Sequence, residues 1–480
     1  MANGRISNFD PEDGAAWEAG NAAIARRNLF WSTATMHVAF STWSLWSVVV
    51  LFMPEPVYGI GSGDKLLLAA VATLVGGCVR VPYVLATARF GGRDWAVLSS
   101  LILLIPTVGT LLLLVNPGQP FWMYLVCAAL TGLGGGNYAA SLANVDAFYP
   151  QRLKGVALGL SGGIGNLGVA AVQLVGLLVL ATVGNTKPEL VCSIYLILLA
   201  LVGIGAALRM DNLDHGMEEV GGIRSILSIP DSWVISLLYS AAFGSFIGFA
   251  FAFAQVLNIT FEEAGHSPAE ASLYTARIAF LGPLLGALSR IYGGRAADRR
   301  GGGRVTFAVF LGMILGAAVL AVTSTMDDHS SGAAPSTTVA LYITGFMVLF
   351  ILAGMGNGSV LKMIPSIFEA RSRSLDAGEA ERRHWARSHS GALIGFATAV
   401  GALGGVAINL TLRQSYAGSG TETPAFWAFL ATYCAVAGLT WVRYVRRPPR
   451  MPAAIVGKMG QPFGNRSVTQ TKSAGAKSYT

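Results

Sequence analysis

Two arginines, Arg80 and Arg290, stand deep inside apolar sequence, and their type and spacing suggest a chemistry. Each precedes a glycine pair by eleven residues: Arg80 with Gly91 and Gly92, Arg290 with Gly301 and Gly302. The two lie 210 residues apart, as matching positions of a duplicated unit would. A guanidinium stays charged at any accessible pH, and its planar fork of N–H donors suits a flat oxyanion. Carboxylates that could neutralise the pair are almost absent from the surrounding apolar runs. Asp146 sits near the end of the fourth such run, and the other acids stand in loops or at run ends. Two cations without a resident counter-ion call for a mobile anion: nitrate, nitrite or a carboxylate would fit.

Further along, Gly155-Val-Ala-Leu-Gly-Leu-Ser-Gly-Gly-Ile-Gly-Asn-Leu-Gly168 keeps one helix face nearly flat. Backbone and the Asn166 amide can then approach a small ligand. A partner stretch, Gly391 to Gly405, includes Gly395, Thr398, Gly401 and the pair Gly404-Gly405. For any single glycine or aromatic residue, helix packing is the plainer role.

The elements that must position these groups are membrane helices. The 480 residues are 53% hydrophobic and 12% charged, too apolar for an ordinary soluble domain. Runs long enough to cross the hydrocarbon core lie near 32–53, 66–87, 96–115, 121–145, 156–183 and 189–208. Six more lie near 233–256, 271–293, 304–324, 338–362, 389–412 and 425–443. Without strand alternation, such runs must be helices that satisfy their own backbone hydrogen bonds. The expected fold is therefore all-α, with twelve transmembrane helices in two six-helix halves. The halves occupy 32–208 and 233–443, joined by a polar linker over 209–232. Residues 1–31 form an N-terminal segment without the features of a signal peptide. Residues 444–480 form a basic tail, disordered from Gly457 on. At one and a half ångströms per residue, both arginines stand roughly 16 Å above their glycine turns, near mid-membrane.

Lys and Arg collect in one set of loops: Arg89, Arg93, Arg152, Lys154, Arg209, Arg224, Arg295, Arg299, Arg300 and Arg304. That set is expected to be cytoplasmic, which puts both termini inside a multi-pass cell-membrane protein. The formal charge of +8 then reflects topology and anionic lipid headgroups rather than nucleic acid. The charged stretch from Glu369 to His389 reads as a short cytoplasmic helix between the tenth and eleventh spans. Arg277, near the outer end of its span, is expected to snorkel.

Cys78, Cys127, Cys192 and Cys434 fall inside spans without metal or disulfide spacing, and the six histidines are scattered. No cofactor or metal is expected, and no constellation of an enzyme is visible. His37 and Asp146 are the groups that could carry a proton. The plainer reading is a neutral His37 bonded to a carbonyl and an Asp146 charge at a helix end.

The segment Gly294-Arg-Ala-Ala-Asp-Arg-Arg-Gly-Gly302 resembles the loop motif of the major facilitator superfamily. Its first copy, Ala88 to Arg93, lacks the aspartate and the early glycine. The glycine-rich fifth and eleventh spans are similar to the two nitrate signatures of the nitrate/nitrite porter family. Gly135-Asn137-Tyr138, Ala143-Asn144, Tyr149-Pro150 and Gln173-Leu174 extend the likeness. So do Arg80-Val-Pro-Tyr83 and the stretch from Leu238 to Phe249, and the match covers roughly 30–445. It implies a transporter of nitrate and nitrite, working as a monomer in the inner membrane by alternating access. The same resemblance implies a pocket in which Arg80 and Arg290 clamp the anion and Asn166 and Tyr239 donate hydrogen bonds. Phe40, Tyr138 and Phe243 would supply rings, with Gly162, Gly163 and Thr398 from the two signature spans beside them. Family members often carry phenylalanine where Tyr138 stands, so a hydroxyl there bears on selectivity between nitrate and nitrite. Exchange of one anion for the other is the expected mode. Proton symport and an anion channel are the alternatives.

Overall fold

The computed structural model describes residues 5–7, 9–184, 187–213, 223–329, 335–376 and 378–446. The segment from Gly457 to Thr480 and the middle of the linker lie outside the described residues. Ten long apolar helical segments satisfy the demands of a membrane span: α1 (Gly14–Phe52), α3 (Gly92–Val115), α5 (Arg152–Val183), α6 (Glu189–Arg209), α7 (Pro230–Glu263), α8 (Pro268–Arg300), α9 (Gly302–Asp328), α10 (Ser336–Ser372), α11 (Glu381–Ser419) and α12 (Thr423–Val445). Between them, α2 is a bent pair, Ser62–Cys78 and Arg80–Phe90, kinked by 41° immediately before Arg80. The remaining span, α4, joins Phe121–Thr131 to Asn137–Phe148 through a 3-10 turn at Gly132–Gly136. These make the twelve spans expected. The 3-10 turn sits where α4 presses on α1, since a Cβ at Gly134 would stand 2.3 Å from the Ala39 carbonyl oxygen.

The helices outrun the spans that hydropathy marks. The eleventh is helical from Glu379 to Ser419, 41 residues, and so about 60 Å long against a core of about 30 Å. The charged segment expected to be a separate helix is therefore divided. Glu369 to Ser372 finish α10, and Glu379 to His389 open the eleventh helix. Charge ends a hydropathy window but not a helix, because Glu, Arg and Ala are all good helix formers.

The internal repeat is visible in the backbone. Gly91 (φ 96°) and Gly301 (φ 87°) both take the left-handed region at the turns joining α2 to α3 and α8 to α9. In the second half Asp298 receives Lys362 Nζ from α10 at 3.0 Å. The first half lacks that aspartate, and Asn212 of the linker takes its place: its Oδ1 accepts from the Arg93 backbone N–H at 2.9 Å. Arg93 Nε also donates to the Ala207 carbonyl. Asp211 accepts from Arg27 at 2.6 Å and from Asn28 at 3.0 Å, and Arg5–Ile6 pairs in parallel with Asn212–Leu213. The start of the chain, the end of α6 and the base of α1 thus meet on one side of the molecule, the linker side. On that side too, Asp231 at the base of α7 accepts from Arg371 and Arg443.

Helices α1 and α7, matching members of the two halves, are the most deeply buried. At the perimeter Ile105, Ile197, Leu201 and Leu315 are more than half exposed, an apolar belt suited to lipid. Of the groups weighed for proton transfer, Asp146 pairs with Lys154 at 2.9 Å. His37 Nδ1 donates to the Ile164 carbonyl oxygen at 2.8 Å. Arg277 is exposed and rests over the Tyr274 ring at 5.7 Å.

Candidate functional site

At the centre, α1, α2, α4, α5, α7, α8, α10 and α11 each bring at least one polar or aromatic group toward a common volume. The kink in α2 turns Arg80 inward, where its side chain is fully buried. Arg80 Nη1 donates to the Thr398 carbonyl of α11 at 2.6 Å, while Nε and Nη2 are buried without a partner. Its guanidinium carbon lies 4.9 Å from the Phe243 ring centre, 5.4 Å from Tyr138 and 5.7 Å from Trp43. Such contacts offset desolvation by roughly 0.5–2 kcal/mol each, far short of what a paired carboxylate would supply.

Arg290 comes from the opposite half and is partly buried. Its Nη2 donates to the Tyr138 hydroxyl at 2.6 Å and its guanidinium carbon lies 5.6 Å from the same ring. Nη1 is buried and unpartnered. Among the described residues neither arginine forms an ion pair. Two like charges thus share one aromatic ring in a medium of low dielectric, where repulsion between them and attraction for an anion are both strong.

Asn166 on α5 is 1% exposed, and both its side-chain polar atoms lack partners. An unsatisfied buried amide costs about 1–3 kcal/mol, a cost that an incoming hydrogen-bonding ligand relieves. Tyr239 on α7 donates to Asn357 Oδ1 on α10 at 2.7 Å and stacks on Phe243 at 5.4 Å. Phe40 lies 5.5 Å from Tyr138 and 5.0 Å from Trp43. Gly162 faces the pair formed by Tyr138 and Arg290: a Cβ there would stand 3.2 Å from the phenol oxygen. Beside Gly163 the space is open. Thr398 meets the site through its carbonyl, because its hydroxyl donates to Gly395 on its own helix.

Two members of this cluster are not apparent from the sequence. Trp43, three residues beyond Phe40 on the same face of α1, flanks Arg80 and donates its indole N–H to the Ala72 carbonyl at 2.9 Å. Asn357 holds Tyr239; its one signal is its place in the glycine-rich stretch of α10, which echoes Gly136-Asn137 of α4. Among the described residues no group of histidine, cysteine and acidic side chains could hold a metal ion.

The hydrogen bonds described between the two halves lie at the level of the arginines or beyond it, away from the linker side. They are the bonds of Arg80 to Thr398 and Arg290 to Tyr138, then Gln173 Nε2 to the Ala250 carbonyl at 2.8 Å and Ser272 Oγ to the Leu51 carbonyl at 2.8 Å. Toward the linker side the glycine faces open out. At Gly155 and Gly159, in register with Gly162 and Asn166, a Cβ would meet nothing within 4 Å, and the same holds for Gly391 and Gly395, in register with Thr398. The described hydrogen bonds between the halves thus lie away from the linker side and the glycines without neighbours lie toward it, the arrangement of a carrier caught in one of its two access states.

A family model described as Major Facilitator Superfamily matches residues 31–408. The "Nitrate/nitrite transporter NarU" of Salmonella typhimurium is 35% identical over 466 residues, which cover 93% of this chain and 97% of that protein. The "Probable nitrate/nitrite antiporter NarK2" of Thermus thermophilus is 28% identical over 466 residues, covering 93% and 98%. Among solved structures, the partially occluded, inward-open xylose transporter XylE of E. coli aligns with a TM-score of 0.63 at 13% identity, over 88% of this chain and 98% of that one. That last likeness concerns the fold alone.

Proposed function

This chain belongs to the nitrate/nitrite porter family of the Major Facilitator Superfamily, and from that premise we propose that it exchanges nitrate for nitrite across the cell membrane, with Arg80 and Arg290 as the two halves of the anion clamp. It is a multi-pass transporter, and its relatives carry nitrate and nitrite by name. The observation that carries the reading is the pair of arginines, one from each half and neither ion-paired among the described residues, which lie over the same ring and each keep a buried N–H with no partner. Asn166 adds a buried amide in want of a ligand.

The mechanism follows from charge. In the empty site the two guanidiniums oppose approach of the halves toward the linker side. A monovalent oxyanion between them offsets part of that repulsion and adds charge-assisted hydrogen bonds to both halves at once. Closure is then favourable only when the site is loaded, so the empty carrier returns slowly and one anion is exchanged for another. Phe40, Trp43, Tyr138, Tyr239 and Phe243 keep water away from the clamp and so strengthen its hold. One chain carries the whole clamp, so a monomer suffices in this scheme. With the linker side cytoplasmic, as the distribution of Lys and Arg suggests, this state faces inward.

The test is nitrate uptake by liposomes holding the purified protein, with and without internal nitrite and with an imposed pH gradient. Uptake that requires internal nitrite, ignores the gradient and collapses in Arg80→Lys and Arg290→Lys is the expected result. Uptake driven by the pH gradient alone would instead establish proton symport, and flux of neither anion would overturn the substrate reading while leaving the fold untouched.

A further inference from the structure

Two phenols stand in the site, and their hydrogen bonds give them opposite roles. Tyr239 donates its proton to Asn357 Oδ1 at 2.7 Å, so that proton is committed within the protein. At Tyr138 the direction is reversed. A guanidinium can only donate, so the phenol oxygen accepts from Arg290 Nη2 at 2.6 Å, and its own proton remains for another acceptor. Gly162 leaves the space beside that oxygen clear, as a Cβ would stand 3.2 Å from it and 3.7 Å from Arg290 Nη2. The two arginines and Asn166 contribute further unpartnered buried donors, Arg80 Nε and Nη2, Arg290 Nη1 and Asn166 Nδ2.

We infer that the Tyr138 hydroxyl is a specificity-determining donor that recognises a third oxygen on a planar anion, and so sets nitrate above nitrite. The inference rests on the substrate reading given above. The two arginines and Asn166 can satisfy two oxygens, which nitrate and nitrite both have. What nitrate adds is an oxygen on its remaining edge, and the Tyr138 proton is the donor left for it. Nitrite presents there only the lone pair of its nitrogen. A site built to hydrogen-bond a group discriminates against the analogue without it far more sharply than a site that measures size. The two ring roles also account for the crowding of both guanidiniums around one phenol: Tyr138 holds Arg290 in place before the anion arrives.

Loss of the hydroxyl has two effects that can be told apart. It frees Arg290 Nη2 for any anion, which acts alike on nitrate and nitrite. It also removes one donor, which acts on the three-oxygen anion. The ratio of the two affinities isolates the second effect.

The experiment is calorimetric titration of the purified full chain with sodium nitrate and with sodium nitrite, for the wild type, Tyr138→Phe and Tyr239→Phe. The wild type should prefer nitrate, and Tyr138→Phe should lower that preference by about tenfold or more, the loss of one hydrogen bond to a charged group. Tyr239→Phe should move both affinities together. A preference that stays within about twofold in Tyr138→Phe, at the level where a lost hydrogen bond would be undetectable, overturns the inference. Should that variant fail to fold, the wild type alone decides, with formate as a second two-oxygen anion. Nitrate must bind more tightly than nitrite and formate, and an equal or inverted order overturns the assignment. Binding of neither nitrate nor nitrite by the wild type is a different result, since it removes the substrate reading itself.

Discussion

Removing the two outer hydrogen bonds between the halves should shift the carrier away from the state described above. Gln173 and Ser272 are 4% and 3% exposed, and each donates across the interface to a backbone carbonyl, that of Ala250 and that of Leu51, at 2.8 Å. Neither bond involves a charge, so each contributes about 1 kcal/mol net, and the pair about 2 kcal/mol. They exist only while the side opposite the linker is closed. Gln173→Leu combined with Ser272→Ala should therefore move the equilibrium between access states by roughly 30-fold. From a starting preference of about ten to one, the population open toward the linker side would fall from about nine-tenths to about a quarter. Gly159→Cys is a suitable reporter, because a side chain there meets nothing within 4 Å and lies on the face of Gly162 and Asn166. With Cys78, Cys127, Cys192 and Cys434 replaced, the reaction of that cysteine with a polar maleimide should slow about fourfold in the double variant, in proportion to the open population. Saturating anion offers an internal control, since it biases the same equilibrium through the clamp. Equal rates in the parent and the double variant would refute the argument that these bonds hold the outer side shut.

Two further outcomes follow from particular contacts. Gly168→Ala would bring a Cβ to 2.3 Å from the His37 carbonyl, a rigid backbone atom of α1, whereas Gly163→Ala meets open space. The first should sharply reduce the yield of folded protein in size-exclusion chromatography, and the second should leave it within error of the wild type. Asp231 is 13% exposed on its side chain and receives Arg371 at 2.7 Å and Arg443 at 3.0 Å, tying the base of α7 to α10 and α12. Both arginines are nearly half exposed, so screening leaves about 1–2 kcal/mol, and Asp231→Asn should lower the midpoint of thermal unfolding without changing anion affinity.

Much of this was legible in the chain because a bilayer imposes simple rules. Apolar length gives the number of spans, and an intramembrane cation is conspicuous wherever it stands. Arg80 and Arg290 could be paired from their equal distance to glycine turns, and Gly91 and Gly301 indeed adopt matching backbone conformations. What could not be read were relations set by packing. Asn357 lies 118 residues from Tyr239, and nothing in either neighbourhood announces their hydrogen bond. Trp43 is one of many aromatic residues in an apolar helix, and only the kink at the start of Arg80–Phe90 brings a guanidinium to its face. Thr398 stands in a signature stretch, yet its contribution to Arg80 is a carbonyl, which any residue could offer. The charged start of the eleventh helix was hidden for the opposite reason: hydropathy measures the membrane's edge, while helical continuity is indifferent to it.

The division of glycines in α5 joins these threads. One stretch of sequence serves two purposes that no composition could separate. Gly165 and Gly168 press on Met36 and the His37 carbonyl, so they fix α5 to α1 within its own half. Gly155 and Gly159 press on nothing in this state, and Gly162 leaves room for a phenol and a guanidinium. In α11 the same division recurs, with Gly401 and Gly404 packed on Tyr239 and Ser240 of α7, and Gly391 and Gly395 free. The packed glycines lie toward the sealed side and bind each signature helix to the central helix of its half. The free ones lie toward the open side, on the faces that must meet when the carrier closes over an anion. A smooth surface is then required twice over: once for permanent close packing, and once for a contact that forms and dissolves in every cycle. Alanine at Gly159 or Gly395 should accordingly leave the state described here intact and penalise only its closed counterpart, which separates the two purposes by experiment: normal folding with slowed exchange, against the folding defect expected at Gly168.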